Sequence, residues 1–266
     1  MIDVSGTPVL VYQMGKVGSA SIVQSLRSSE LPGSLHHIHL LSSKALEASK
    51  KQHITNQRKF TVQLEHGIAV RDFLDEFPET RPFVITVVRD PLAQFISSFF
   101  QNLSHNYPGL TNSDGSWNEL EIKITLEGII ESYDPSTAWV SNWYEAEFKN
   151  ALNVDIYQTP FDHDAGYTLI EENNTRVLCL CMESSSVWTE AISNFLGLGS
   201  DFEIKPHNVS VQKWYGPLYR KIRSELNISE AARDGFYSSR LASHFYSNEV
   251  LQGFKLKFAS TRLNAA

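Results

Sequence analysis

Cysteine is scarce in this sequence, which contains only Cys179 and Cys181. With a single residue between them on a predicted strand, the two side chains cannot easily form a disulfide. Without further cysteines they do not form a zinc site either. We therefore expect both thiols to be buried, reduced and structural, and we expect no metal site.

Long hydrophobic runs are also lacking. No segment approaches the roughly 20 consecutive apolar residues that a membrane-spanning helix needs. Residues 1–7 are polar and show neither the basic region nor the apolar region of a signal peptide. We therefore expect a cytoplasmic protein without a transmembrane segment.

Basic residues are outnumbered, with 23 Lys and Arg against 30 Asp and Glu, and the net charge is −7. No stripe rich in Lys and Arg appears, which argues against nucleic acid as the main partner. The excess of negative charge also disfavours a densely sulfated polymer as a substrate. A local basic pocket for one nucleotide remains compatible with an acidic chain.

The remaining composition is typical of a globular protein, since 42% of the 266 residues are hydrophobic and 20% are charged. No internal repeat or linker interrupts the chain, so we predict a single domain over residues 1–266. Short apolar runs alternate with amphipathic stretches, as in β-α units around a parallel sheet. The predicted fold class is α/β, with three α/β/α layers, a central, mainly parallel sheet and added C-terminal helices. The predicted strands are Pro8–Gln13, Leu35–Leu40, Phe60–Leu64, Phe83–Val88 and Val177–Met182.

The clearest predicted helix follows the strand Phe83–Val88. Asp90 is a suitable N-cap, Pro91 stands at the first helical position, and apolar residues recur at helical spacing as far as Leu103. We interpret this apolar stripe as core packing. Further helices are predicted at residues 19–28, 117–131, 136–149 and 185–196 and after residue 209. Core packing is also the interpretation for Trp139, Trp143 and Tyr144.

A glycine-containing loop, Met14–Gly18, lies between the first predicted strand and the first helix. Strand, glycine-rich turn and helix in this order direct backbone N–H groups and a helix N-terminus at an anion. Lys16 adds a positive charge, and Ser19 and Ser21 add hydroxyl donors. The loop differs from a Walker A motif because no Ser or Thr follows Lys16 to hold magnesium. It therefore suits a transfer without metal; the alternative is an ordinary turn with a solvated lysine.

A second candidate anion site follows the strand Phe83–Val88. Arg89 comes directly after it, so its guanidinium is expected at the carboxyl edge of the sheet, where α/β proteins bind ligands. Ser97 follows Asp90 by seven residues, close to two helical turns, and so lies on the same helix face. Arg89 and Ser97 are candidates to share a phosphate, with the arginine as a bidentate donor. The alternative is a surface Arg–Asp pair beside an exposed serine.

Together, these two segments resemble the superfamily of sulfotransferases that use 3′-phosphoadenosine 5′-phosphosulfate (PAPS). Lys-x-Gly-Ser-x-Ser resembles the 5′-phosphosulfate loop of that superfamily, and Arg-Asp-Pro with a helical serine resembles its 3′-phosphate site. The resemblance implies a P-loop-type fold, PAPS as co-substrate without metal, and a 3′-phosphate held by Arg89 and Ser97. Ala20 stands where many members have a hydroxyl. The donor-binding residues implied in the loop are Gly15, Lys16, Gly18, Ser19, Ala20 and Ser21.

Longer stretches resemble bacterial capsular polysaccharide synthesis proteins and, more distantly, uronyl 2-O-sulfotransferases. This resemblance covers most of the chain and implies a role in polysaccharide biosynthesis, with a hydroxylated saccharide as acceptor. The segments that resemble the capsular proteins are Tyr12–Ser19, Pro160–Asp162 with Gly166–Tyr167, and His244–Ser247.

A hydroxyl acceptor must lose its proton during the transfer, and a His or Glu with a pKa near 7 is the usual base. Glu65-His66-Gly67 is predicted to follow the third strand at the carboxyl edge. It resembles the His-Gly-His motif of uronyl 2-O-sulfotransferases, with His66 at the first histidine and Ile68 in place of the second. His66 and Glu65 are both candidates for the base, and only one is expected to face the donor. His39, at the end of the second strand, is a further candidate.

Two lysines complete the predicted site. Lys16 is expected to bind the donor and to stabilise the bridging oxygen as it leaves. Lys213 ends a segment that stands where sulfotransferases have a loop closing over the nucleotide, and a solvated lysine at a helix start is the alternative there. The predicted function is in-line sulfuryl transfer from PAPS to a hydroxyl. Two alternatives remain, a P-loop kinase in which Asp90 holds magnesium and a non-catalytic nucleotide-binding protein of polysaccharide assembly.

Overall fold

The computed structural model of the protein describes residues 2–207 and 213–259. The described chain forms two compact units. Unit 1 consists of residues 2–89 and 143–207, and unit 2 consists of residues 90–142 and 213–259. We describe each unit separately, and the single domain expected from the sequence stays a prediction. Within the described ranges, no helix combines the length and the apolar character needed to cross a membrane.

Unit 1 contains a five-stranded sheet with the strand order β2-β1-β3-β5-β4. The first four strands in this order run parallel, and β4 pairs antiparallel with β5. This sheet confirms the predicted α/β class with a central, mainly parallel sheet. The strands are β1 (Val9–Tyr12), β2 (Leu35–Ile38), β3 (Phe83–Val88), β4 (Tyr167–Glu172) and β5 (Thr175–Cys181).

Helices account for most of the remaining described chain. In chain order they are α1 (Ser19–Leu26), α2 (Ser43–Thr55), α3 (Val62–Glu76), α4 (Pro91–Gln101), α5 (Leu103–Asn106), α6 (Glu119–Glu131), α7 (Trp139–Trp143), α8 (Lys149–Leu152), α9 (Trp188–Leu196), α10 (Gly216–Glu225), α11 (Glu230–Tyr237), α12 (Arg240–Phe245) and α13 (Asn248–Lys257). A π-helix, Tyr144–Phe148, continues directly from α7, and 3₁₀ turns cover Ile156–Gln158 and Met182–Val187. The helices α4, α5, α6 and α10–α13 belong to unit 2.

The two faces of the sheet in unit 1 are covered by different helices. Val9 and Val11 of β1 belong to a buried apolar cluster with α1 and α9. Successive strand residues point to opposite faces, so Tyr12 faces the other side, where its ring stacks on Phe148 of the π-helix at 5.3 Å. Unit 1 is therefore itself a three-layer arrangement with the sheet in the middle.

The strand predicted at Phe60–Leu64 is wrong, because this segment leads into helix α3. The hydroxyl of Thr61 accepts a hydrogen bond from the Leu64 N–H at 3.2 Å and caps the helix. The apolar run is too short to distinguish a strand from a helix start. Val62, which a buried strand would cover, is 62% exposed. Glu65 and His66 therefore lie on a helix, where neighbouring residues differ by about 100° rather than pointing to opposite faces.

Strand β4 was missed by the sequence analysis. It forms a hairpin with β5 through Asn173 and Asn174, both of which have positive φ angles, of 46° and 57°. Asparagine tolerates this conformation, and a two-residue turn of this kind matches the twist of the strands it joins. The Asn-Asn pair was therefore the available signal.

Core predictions are mostly confirmed. Cys179 and Cys181 are buried and free, and Trp143 and Tyr144 are 1% exposed. Trp139 is an exception, because half of its surface is exposed.

Unit 2 is built on the predicted helix after β3. Asp90 caps α4, and its Oδ1 accepts hydrogen bonds from the N–H groups of Leu92 at 3.0 Å and Ala93 at 3.1 Å. Most of the predicted apolar stripe of this helix is buried, as expected for core packing, and its member Phe95 is half-buried. Its buried apolar members are Leu92, Ala93, Ile96, Phe99 and Phe100, with Leu103 just beyond.

Candidate functional site

The strand order creates a ligand-binding position at the carboxyl edge of the sheet in unit 1. β1 lies between β2 and β3, so the connection after β1 leads to one side and the next connection returns to the other. Parallel sheets bind ligands where such connections diverge. The loop Gln13–Gly18 follows β1, and Arg89 follows β3. Both predicted segments of unit 1 therefore lie beside this position.

The loop after β1 has an unusual backbone. Gly18 immediately precedes α1 with a φ angle of 83°, and Lys16 has a φ angle of 72°. A left-handed conformation is common for glycine but costs a residue such as lysine roughly 1 kcal/mol or more. Left-handed residues can turn successive N–H groups toward one point and so form a concave site for an anion. The loop thus has the backbone expected of a phosphate-binding loop.

Arg89 fixes this loop from the neighbouring strand. Its Nη1 donates a hydrogen bond to the carbonyl oxygen of Lys16 at 2.9 Å. The contact joins two residues that were predicted separately from sequence, and it holds the strained residue by its own carbonyl group. Two cationic residues therefore belong to one small substructure at the carboxyl edge of β1 and β3.

The serine hydroxyls at the start of α1 already have protein partners. Ser19 is 6% exposed, and its Oγ lies 3.1 Å from Nε2 of His37. Ser21 Oγ accepts a hydrogen bond from the His207 N–H at 2.9 Å and lies 3.3 Å from the His207 carbonyl oxygen. The two serines thus connect α1 to β2 and to the segment before residue 208, while Ala20 adds no polar group.

A histidine that the sequence analysis did not select lies beside the loop. His37 of β2 contacts Ser19 and also the side chain of Gln13, whose Nε2 is 3.0 Å from His37 Nε2. Burial, followed by the positive charges of His39, His66 and Arg27, lowers the pKa of His37 to about 4. The ring of His37 is therefore neutral at pH 7.

His39 is placed as predicted, just after β2. Its Nδ1 lies 2.8 Å from the carbonyl oxygen of Gln13 and is therefore the protonated nitrogen of the neutral ring. Burial lowers the pKa of His39. Its ring meets that of His37 edge to face, with centroids 5.0 Å apart.

His66 and Glu65 are not at the predicted strand end. Nδ1 of His66 lies 2.9 Å from Nδ1 of His36. His36 pairs in register with Leu10, and its neighbour His37 points to the opposite face of the sheet. Burial lowers the pKa of His66. Glu65 is exposed and lines a different cavity, together with Phe73 and other residues of α3. The structure therefore pairs His66 with His36 and places Glu65 at the cavity lined by α3.

A buried carboxylate binds the ends of β1 and β2 at the same edge of the sheet. Glu147 of the π-helix is 0% exposed. It accepts hydrogen bonds from the Tyr12 hydroxyl at 2.7 Å, the N–H groups of Leu41 and Ser42 at 2.5 and 2.8 Å, and the Ser42 hydroxyl. Burial, followed by the charge of Glu147, raises the pKa of Tyr12 well above 10. Glu147 thus fixes the end of β1 relative to the turn after β2.

Three predicted residues belong to unit 2. Ser97 lies on α4 and is 7% exposed, so the alternative of an exposed serine is wrong. Asp90 Oδ1 accepts a third hydrogen bond, from the Tyr237 hydroxyl at 3.1 Å, in addition to its two cap bonds. Lys213 Nζ lies 5.8 Å from the centre of the Tyr215 ring. The rest of the predicted closing loop, residues 208–212, lies outside the described residues. The sharing of one phosphate by Arg89 and Ser97 stays a prediction.

Comparison with known proteins gives one finding. Residues 119–247, just under half of the 266-residue chain, match the model of a family described as "putative capsular polysaccharide synthesis protein". No curated protein and no solved structure matches the chain. The expected resemblance to capsular proteins is confirmed in this range, which includes Pro160–Asp162, Gly166–Tyr167 and His244–Ser247. The matched range excludes the loop after β1 and Arg89.

Proposed function

We propose that this protein is a sulfotransferase that moves a sulfuryl group from PAPS to a hydroxyl of a saccharide. The observation that carries this proposal is the contact between Arg89 and the left-handed Lys16. Strained residues persist where the surrounding structure holds them, and they concentrate at ligand sites. Here the holding group is itself a cation at the diverging connections of the sheet.

The features of the loop favour PAPS over a nucleoside triphosphate. Lys16 is followed by Val17, so the hydroxyl that holds magnesium in a Walker A loop is missing. Asp90, the other potential magnesium ligand, caps α4 and accepts three hydrogen bonds through one oxygen. A sulfuryl group carries less charge than a γ-phosphoryl group, so its transfer needs less stabilisation by positive charge.

The transfer requires one bond to form and one to break. The acceptor oxygen forms a bond to sulfur, and the bond between sulfur and the bridging oxygen of the 5′-phosphosulfate breaks. The proton of the acceptor hydroxyl passes to a base, and 3′-phosphoadenosine 5′-phosphate (PAP) leaves with the extra negative charge. Lys16 would stabilise that charge on the bridging oxygen.

The saccharide acceptor is inferred from the family match. A protein of polysaccharide synthesis meets sugar hydroxyls, which are suitable nucleophiles for this transfer. The match includes α6, the π-helix and α10–α12, so it covers parts of both units. The cytoplasmic location expected from the sequence stays a prediction.

Calorimetric titration without metal tests the donor assignment. We expect PAP to bind at least tenfold more tightly than AMP or ATP, and we expect Arg89→Ala to abolish this preference. Arg81→Ala is the matched control, because Arg81 is an exposed arginine just before β3, at the opposite end of the same strand. Equal affinity for PAP and AMP, or a preference for ATP with magnesium, would refute the proposal.

A further inference from the structure

Three polar side chains converge under the phosphate loop on one face of the sheet. Val11 and His37 are register partners, so their side chains lie on the same face. Gln13 follows Val11 by two residues and continues that face. Ser19 begins α1, which covers it. The contacts of 3.0 and 3.1 Å to His37 Nε2 join residues from β2, the loop and the helix.

The contacts assign the protons of this cluster. The Gln13 amide is oriented with its Nε2, a donor, toward the ring, and the Ser19 hydroxyl can also donate. In this orientation His37 Nε2 is the unprotonated nitrogen of a neutral ring. The proton of the ring is then on Nδ1. Gln13 is 0% exposed and Ser19 is 6% exposed, whereas His37 keeps part of its surface exposed. Its basic nitrogen is thus held in a fixed position.

We propose that His37 is the catalytic base of the reaction, accepting the proton of the acceptor hydroxyl at Nε2. This inference rests on the proposed function and names a residue that the sequence analysis did not consider. Gln13 and Ser19 are positioning residues, since each holds the ring without needing to contact the acceptor. The approaching hydroxyl replaces one of these two donors at Nε2.

The charges around His37 make it responsive to the donor. Three groups act on it by their charge: His39 just after β2, His66 on α3 and Arg27 just after α1. Arg27 is permanently cationic, and the two histidines are cationic when protonated. Burial, followed by these charges, lowers the pKa of His37 and keeps the free imidazole neutral. A bound phosphosulfate brings negative charge close to Ser19, and an opposite charge favours the protonated imidazole. Donor binding therefore raises the basicity of His37 when a base is needed.

His66 lacks this relation to the loop. Its Nδ1 is occupied by the contact with His36, on the face of the sheet that Leu10 and Tyr12 share. His36 Nε2 in turn lies 2.8 Å from Ser34 Oγ, before the start of β2. The pair His36–His66 thus lies on the face of the sheet opposite to that of His37.

Nuclear magnetic resonance of the histidine rings in the wild-type protein tests the proposal, with PAP as the probe. We expect the pKa of His37 to rise by at least one unit when PAP is saturating, while that of His66 changes by less than half as much. If PAP binds and His66 shifts more than His37, or neither shifts, His37 is not the base. If PAP does not bind, the sulfotransferase proposal itself fails, and the assignment of His37 falls with it.

Variants give a second measurement. His37→Asn should keep the affinity for PAP within about threefold and slow the release of PAP from PAPS, with water as acceptor, by roughly 100-fold or more, the usual contribution of a general base. His53→Asn changes a half-buried histidine of α2; it is the control and should leave both quantities unchanged. Full activity in His37→Asn would overturn the proposal. Because the ring titration uses wild-type protein, poor folding of the variant would not affect it.

Discussion

The hydrogen bonds of the buried Glu147 carboxylate can be tested by their contribution to the stability of the protein. The carboxylate is fully buried and accepts hydrogen bonds from four donors, on Tyr12, Leu41 and Ser42. Glu147→Ala would leave all four donors without this acceptor. Each unsatisfied buried donor costs about 1–3 kcal/mol, and water entering the cavity would recover part of the sum. We therefore expect Glu147→Ala to lower the free energy of unfolding by about 4 kcal/mol.

Milder changes at the same cluster should follow a definite order. Glu147→Gln keeps one oxygen acceptor but loses the charge, so the expected loss is about 1–2 kcal/mol. Tyr12→Phe removes a single donor and leaves the carboxylate with three, so its loss should be of about the same size. Glu79→Ala removes an exposed carboxylate from the same unit and should change the free energy by less than about 0.5 kcal/mol.

Urea denaturation followed by tryptophan fluorescence measures these losses. Trp143 packs against Tyr12 with ring centroids 5.0 Å apart, so its emission should respond when this part of unit 1 unfolds. A loss below about 1 kcal/mol for Glu147→Ala would refute the reasoning, because it would mean that the four donors find other partners. A larger loss for Tyr12→Phe than for Glu147→Ala would do so as well.

Two further predictions concern the loop and the histidines. Lys16→Gly should raise the free energy of unfolding by about 1 kcal/mol, because glycine adopts a φ angle of 72° without strain, yet it should weaken PAP binding at least tenfold; urea denaturation and calorimetry measure the two effects. Stability should fall as the pH decreases from 6.5 toward 4, because the pKa values of His36 and His37 are about 4 in the folded protein and the unfolded chain takes up protons first. Thermal denaturation should show a shallower pH dependence for His36→Gln, and an unchanged dependence would contradict the assignment.

The parts of the fold that sequence predicted correctly are those with strong local signals. β3 is a buried run of six residues, five of them apolar, and its end is marked by the Asp90 cap and Pro91 at the first helical position. The prediction for the start of helix α3 was wrong because apolar residues surround Thr61 there, and Thr61 was not recognised as the helix N-cap. Gly67 in this helix has a reason that only the structure reveals. A Cβ there would lie 2.4 Å from the carbonyl oxygen of Leu40, so glycine permits the helix to pack closely against the chain after β2.

The residues of the candidate site likewise include some that the sequence predicted and others that it did not. The loop with Lys16 and the strand end with Arg89 were predicted because each is a short motif next to a clear strand. His37 and Glu147 were missed because their roles depend on contacts with residues 18 and more than 100 positions away in sequence. His37 was also one of five histidines from residue 36 to residue 66, and the sequence alone distinguishes them only by position. The register of β2 with β1 is what separates His37 from His36.

Buried polar groups are concentrated at the carboxyl end of β1, beside the candidate site. A sheet that only had to be stable would bury apolar side chains around β1, because a buried charge or amide contributes little net stability even when it is paired. Instead, Gln13 and Glu147 are both 0% exposed, on opposite faces of the carboxyl end of β1. Gln13 holds the ring of His37 on the loop face, and Glu147 fixes the turn after β2 on the other. Together with the left-handed Lys16, they indicate that this end of the strand is built to hold its loops in one geometry, as the proposed transfer of a charged group requires.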